Sequence, residues 1–261
     1  MGRRNLRMEK LFSRYIEKGK GPSRLFVGGI HGKEGQTTIK ALESFDSDSL
    51  KKGKLFLYNL SASPYISTLN RKYFNSPRGL ELLSLIKKLK PKIYLELHCY
   101  RKESHLQLTH EDRKTVNGVP SLVELDKGIL MGSISPIIRS VFFKQCDFPF
   151  ILEIPCNPDI AALNVYLDVM NITAGSDDRF EIFKKLEVKY PQQVKMLENY
   201  FLDYSDNFLI LFQKTIDALK NDLIDREDLK TYMKCLIKEM NLKLNPIQIE
   251  QVAEAVLIFL N

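Results

Sequence analysis

One apolar run constrains this chain more than any other. Arg24-Leu25-Phe26-Val27 leads directly into Gly28-Gly29-Ile30-His31-Gly32-Lys33-Glu34-Gly35. A buried strand that ends in glycines exposes the following side chains at the top of a sheet, where α/β proteins build their sites. Here those side chains are His31 and Glu34, three positions apart. Imidazole nitrogen and carboxylate oxygen are both common zinc ligands. The pair alone is also what a solvated loop would show.

A second segment, Lys92-Ile93-Tyr94-Leu95-Glu96-Leu97-His98-Cys99-Tyr100, is another β-branched and aromatic run that ends in histidine. Two such strands with helix-like sequence between them predict a parallel β-α-β core whose strand ends lie side by side. His31, Glu34 and His98 then supply three ligands, and three protein ligands with one open position is the catalytic form of a zinc site. The expected cofactor is one Zn2+ per chain.

A chain of 261 residues with 44% hydrophobic and 27% charged residues has enough apolar material for one large α/β domain, or a medium domain with a helical appendage. No apolar run approaches the roughly 18–20 residues that cross a bilayer. The basic N-terminus, Met1 to Glu9, is not followed by an apolar region, so no signal peptide is expected. Leu6 stands where myristoylation after Gly2 would need Ser or Thr. Cys99, Cys146, Cys156 and Cys235 form no Cys-x-x-Cys pair and read as reduced thiols, so the expected location is cytoplasmic. The net charge of +7 is moderate. The cluster of Arg3, Arg4, Arg7 and Lys10 and the cluster of Lys87, Lys88, Lys90 and Lys92 read as solvated faces, the second also complementing a helix C-terminus. Neither is accompanied by an aromatic platform, so nucleic acid is not an expected partner.

Periodicity predicts a short amphipathic helix over 8–18, strands over 24–30 and 55–60, and helices over 36–45 and 79–89, the last opened by Pro77 and stopped by Pro91. A third strand runs to His98. Residues 106–135 alternate and read as short strands or hairpins, including His105 to Leu108 and Val119 to Leu125. A helix over 136–143 and a buried strand over 148–155 follow. Beyond Asn157 the pattern is helical, with segments 186–201, 208–219, 229–240 and 247–260. The expected fold class is therefore α/β, a mixed, largely parallel central sheet flanked by helices, with a helical C-terminal region. The expected division is 1–175 for the sheet domain and 176–261 for the helical extension, which could cap the domain, join two copies of the chain or engage a partner.

Four elements in order resemble the zinc carboxypeptidase superfamily, and within it the aspartoacylase and succinylglutamate desuccinylase branch. They are Gly28 to Glu34, Leu69-Asn70-Arg71-Lys72-Tyr73-Phe74, Glu96-Leu97-His98-Cys99-Tyr100 and Phe148 to Pro155. The resemblance covers residues 24–156, and composition suggests an archaeal branch. It implies that Asn70 and Arg71 hold a substrate carboxylate and that Glu153 is the catalytic glutamate. An arginine that this superfamily carries between the metal turn and the Asn-Arg pair is missing, and Arg78 or Arg101 are the candidates to replace it.

The residues themselves support that chemistry. Glu153 lies in the otherwise apolar run Phe150-Ile151-Leu152-Glu153-Ile154, where a carboxylate needs a reason to be buried. That reason is proton transfer or a structural ion pair. Arg71 offers a rigid fork for a carboxylate. Tyr100 reaches the substrate or packs at the rim, and Glu96 shares a strand face with His98 and could orient it. The sequence thus leads to a zinc-dependent amide hydrolase for a small molecule or peptide with a free carboxylate. The competing expectation is a hydrolase-fold binding protein that has lost turnover.

Overall fold

A computed structural model describes residues 10–260. Its strands are β1 (Lys10–Lys18), β2 (Ser23–Gly28), β3 (Gly53–Leu60), β4 (Ile93–Tyr100), β5 (Val123–Asp126), β6 (Ile129–Gly132) and β7 (Phe148–Pro155). They form one seven-stranded sheet in the order β1-β3-β2-β4-β7-β6-β5. The fold is mixed α/β, as the sequence suggests. The parallel part is confined to the four central strands β3, β2, β4 and β7, and both edges are antiparallel.

The helices are α1 (Gly35–Ser44), α2 (Pro77–Leu89), α3 (His105–Thr109), α4 (Arg113–Asn117), α5 (Pro136–Phe142), α6 (Ile160–Ala174), α7 (Arg179–Glu187), α8 (Pro191–Tyr204), α9 (Ile210–Lys220), α10 (Leu229–Glu239) and α11 (Pro246–Leu260). They cover both sheet faces. On one face Leu25, Val27, Tyr94 and Ile151 pack with residues of α2, α5 and α9 to α11. On the other, Phe26, Leu57, Leu95, Leu97 and Leu152 pack with α1, α6, α7 and part of α8. A central strand covered on both faces must be apolar on both, which is why β4 and β7 read as unbroken hydrophobic runs. The polar exceptions in them, Glu96, His98 and Glu153, are buried and lie on the first face.

Three local expectations fail. Residues 10–18 form an edge strand instead of a helix, paired antiparallel with β3. Phe12 and Ile16 sit four apart, a spacing that satisfies both a helical face and one side of a strand, and their pairing partner lies more than 30 residues away in sequence. Met8, Glu9 and the clustered Arg3, Arg4 and Arg7 lie outside the described residues. His105 to Leu108 is helical instead of a strand, whereas the hairpin expected nearby is present as β5 and β6. The helix expected over 186–201 is two helices, because Pro191 cannot continue α7 and instead opens α8.

From α7 onward the chain is helical, but these helices do not stand apart from the sheet. Ile182, Phe183, Leu186 and Leu197 complete one core, while Phe208, Leu211, Met233, Val252 and Val256 complete the other. Among the described residues no helix is long and apolar enough to cross a membrane.

Candidate metal centre

Three segments meet at the C-terminal end of the central strands. The first is the turn between β2 and α1. Gly29 has φ +72, and a Cβ there would stand 2.2 Å from the Leu60 carbonyl oxygen, so only glycine lets the chain turn this close to β3. The turn is pinned from beneath. Asn59 Nδ2 donates to the Gly35 carbonyl at 2.9 Å, the Thr38 hydroxyl donates to Asn59 Oδ1 at 2.7 Å, and the Tyr73 hydroxyl donates to the Ile30 carbonyl at 3.0 Å. His31 and Glu34 are thereby held buried at the head of the sheet.

The second segment is the end of β4. His98 points to the same side as Glu96 and is buried with it. Oε1 of Glu34 lies 3.3 Å from Nδ1 of His31 and 3.1 Å from Nδ1 of His98. One donor atom from each of the three residues falls within 4.8 Å of the others. A tetrahedral zinc with bonds of about 2.0–2.2 Å separates its ligands by about 3.3–3.6 Å; the His31–Glu34 edge matches that spacing, and the His98–Glu34 edge is a hydrogen-bonded contact slightly inside it. The chemistry of the set agrees. Nδ1 of His31 is buried and makes no hydrogen bond among the described residues. His98 Nε2 lies 3.1 Å from Glu96 Oε2, which is the support that a metal-binding imidazole receives through its second nitrogen. The donors present therefore fit a zinc ion, with His31, Glu34 and His98 as ligands and Glu96 behind His98.

The third segment is β7. Glu153 is the direct neighbour of His98 across the parallel pair, so the two side chains project from the same side of the sheet. Glu153 is buried, and its Oε2 has no hydrogen-bond partner among the described residues.

The charges respond to this crowding. Burial, opposed by Glu34 and reinforced by His98, takes His31 down to about 4. For His98 burial also disfavours the charge, but Glu34, Glu96 and Glu153 outweigh it and raise the imidazole above its ordinary range. Burial raises Glu153 to about 7; Glu34 and Glu96 add to the rise, whereas His98 and Arg113 oppose it.

Of the eight residues the sequence singles out, the structure brings His31, Glu34, His98 and Glu153 together. Tyr100 is buried one same-face step beyond His98, and Arg101 is exposed beside it. Asn70 and Arg71 do not join the cluster. Asn70 is exposed and its Oδ1 accepts from the Lys72 amide to cap a short turn, while the charge of Arg71 falls on Glu254 of α11. Arg78, one of the two candidates to replace the missing arginine, pairs with Glu81 and bonds Ser61.

Two neighbours escape the sequence. Arg113, whose charge reaches Glu153, opens α4, a five-residue helix with no periodic signal. Tyr65 lies in an irregular segment after Pro64, and its ring stands edge-on to His31 with centroids 4.6 Å apart. The loop carrying it is tied to the turn between β2 and α1 by the Ser63 amide, which donates to the Gly32 carbonyl at 2.9 Å.

Beyond this cluster lies a cleft of about 870 Å³ lined by residues from the ends of β4 and β7 and from α3. None of His31, Glu34, His98 or Glu153 lines it directly. Its inner boundary is the Tyr100–Pro155 pair, which is the next same-face pair along the strands after His98–Glu153.

A family described as an uncharacterized protein conserved in archaea (DUF2119) matches residues 19–206. An uncharacterized protein of Methanocaldococcus jannaschii, MJ0501, is 38% identical over 209 residues, covering 78% of this chain and all of the relative. No solved structure matches. These findings correct the resemblance to the zinc carboxypeptidase superfamily and its aspartoacylase branch, because the family that matches is a different one. That resemblance rested on four short elements, most of them strand ends and glycine turns that parallel α/β sheets share. Its most distinctive element, Asn70-Arg71, is exposed and used elsewhere.

Proposed function

This chain belongs to the archaeal family that matches residues 19–206, and from the site at the head of its parallel strands we propose that it is a zinc-dependent hydrolase of amide bonds. The observation that carries the reading is the buried cluster of His31, Glu34 and His98, whose donor atoms all lie within 4.8 Å of one another, beside the unpartnered carboxylate oxygen of Glu153. A structural zinc site closes with four protein ligands, whereas three protein ligands leave a position for water or substrate.

Zinc bound there supplies a Lewis acid that lowers the pKa of water towards about 7 and polarises a carbonyl. The chain's own residues do the rest. Glu153 accepts a proton from the attacking water and returns it to the departing nitrogen, a role that needs a carboxylate oxygen with no competing partner. Glu96 holds His98 through Nε2, fixing the tautomer that presents Nδ1 to the centre. Arg113 favours the ionised form of Glu153 and so readies it to accept the proton. Tyr65 covers one side of His31.

Zinc-loaded protein is expected to hydrolyse members of a panel of N-acyl amino acids and short peptides. Glu153→Gln is expected to lower turnover by about 10²–10⁴-fold while the protein keeps its metal. No hydrolysis across the panel, or hydrolysis indifferent to Glu153→Gln, would contradict the proposal.

A further inference from the structure

The start of α11 carries a capping box built from two amides. Asn245 Oδ1 accepts from the Gln248 backbone amide at 2.9 Å, and Gln248 Oε1 accepts from the Asn245 backbone amide at 3.1 Å. Aspartate and glutamate would close such a box equally well, because it uses acceptor oxygens alone. A side-chain amide brings an NH2 group besides, and here both of these groups reach across to α4. Asn245 Nδ2 donates to the Lys114 carbonyl at 2.7 Å, and Gln248 Nε2 donates to the Gly118 carbonyl at 3.3 Å. One turn further along α11, Gln251 Nε2 donates to the Asn117 carbonyl at 2.9 Å.

The three carbonyls belong to the C-terminal end of α4, where the last groups of a helix have no partner within it. With five residues, α4 is too short to hold its shape by its own hydrogen bonds. Gly118 admits the contact. It has φ +76, and a Cβ there would stand 2.3 Å from Gln251 Oε1. Gln248 and Gln251 are both buried, and Gln251 has its donor engaged while its Oε1 makes no hydrogen bond among the described residues. A further tie comes from α8, since Lys114 pairs with Asp203.

What α11 holds is joined to the site. The Leu122 amide donates to the Leu108 carbonyl of α3 at 2.9 Å, and the Ser121 hydroxyl donates to the His110 carbonyl at 2.6 Å. These bonds make one piece of α3 and α4. That piece supplies His105 and Leu106 to the wall of the cleft, opposite Cys156.

We propose that Asn245, Gln248 and Gln251 form a clasp through which α11 positions α3 and α4 as the outer wall of the cleft. The amide oxygens of the first two serve α11 and their nitrogens serve the wall. The clasp lies beyond residue 206, where the family match ends. It acts whatever chemistry the metal centre performs.

Asn245→Asp with Gln248→Glu, made in the full chain, keeps both acceptors of the capping box and removes both donors. Hydrogen–deuterium exchange resolved by mass spectrometry compares this variant with wild type. Loss of the two hydrogen bonds is expected to speed exchange over residues 106–118 at least about tenfold, while α11 and β4 keep their protection. Gln251→Met keeps the side-chain volume and loses the third donor, and is expected to speed exchange in the same segment, so it decides the matter if the double variant does not fold. The wall itself is read from Cys156, which is half-buried in the cleft. Its alkylation by iodoacetamide is expected to quicken at least about threefold in either variant, with the exposed Cys235 of α10 unchanged as a control. Exchange over 106–118 that stays at the wild-type rate overturns the proposal, as does a rise shared equally by α11 and the central strands. A Cys156 rate that does not move overturns it as well. None of these readouts involves a metal, so failure of the hydrolase reading would appear separately, as lack of metal uptake.

Discussion

Glu96 and His98 sit two positions apart on one face of β4, and their side chains touch at 3.1 Å. A carboxylate buried in a sheet is costly unless a partner stabilises it, and the partner here is the outer nitrogen of a residue that can hold metal through its inner one. Glu96→Gln keeps the shape but weakens that support, and is expected to lower zinc affinity about 10–100-fold, measured by competition with a chromogenic chelator. An unchanged affinity would mean that Glu96 serves only the sheet. At this scale the sequence is informative where a residue breaks a pattern. His31, Glu34, His98 and Glu153 are legible because each interrupts or terminates an apolar run. Arg113 and Tyr65 are not, since they come from segments with no period to interrupt, and only the folded chain lets the charge of Arg113 act on Glu153 and sets the Tyr65 ring against His31. Asn70 and Arg71 form a persuasive short motif, yet both are exposed, Asn70 caps a turn, and neither joins the cluster of His31, Glu34 and His98.

The elements divide in the same way. α2 is legible at both ends. Ser76 caps it by accepting from the Gly79 amide at 3.0 Å, Pro77 occupies the first turn, and Lys90 leaves in the left-handed conformation. Loss of such a cap costs about 1 kcal/mol, so Ser76→Ala is expected to lower the unfolding free energy by that amount in urea titrations. The central strands are legible for a different reason, because burial on both faces leaves no polar positions except those with a task. β1 is not legible. Its residues meet the helical and the strand pattern equally, and the choice between them is made by β3, which supplies the hydrogen bonds of an edge strand. α3 is too short for any period to declare itself.

Across the whole molecule, the sheet brings together residues that lie far apart in the chain. His31 and Glu34 come from the first βα turn, His98 from the end of the next-but-one strand, and Glu153 from the strand beside it. Parallel order places all of these strand ends on one edge, and the helices after α6 complete both cores beneath them. The change from mixed to purely helical sequence beyond Asn157 is legible. That the extension supplies core side chains to both faces is not, because amphipathic helices do not announce which surface they cover. The family match ends at residue 206, just past α8 and before α9 to α11, which pack on the face of Leu25, Val27 and Tyr94. A centre assembled from such distant segments exists only in the folded chain, so metal content reports on the entire arrangement. The most direct measurement is elemental analysis of the purified full-length protein beside His31→Ala and His98→Ala. The account predicts about one zinc per wild-type chain and its loss in both variants, with circular dichroism showing all three folded. A wild-type protein that carries no metal, and takes up none when zinc, cobalt or manganese is offered in excess, would contradict it.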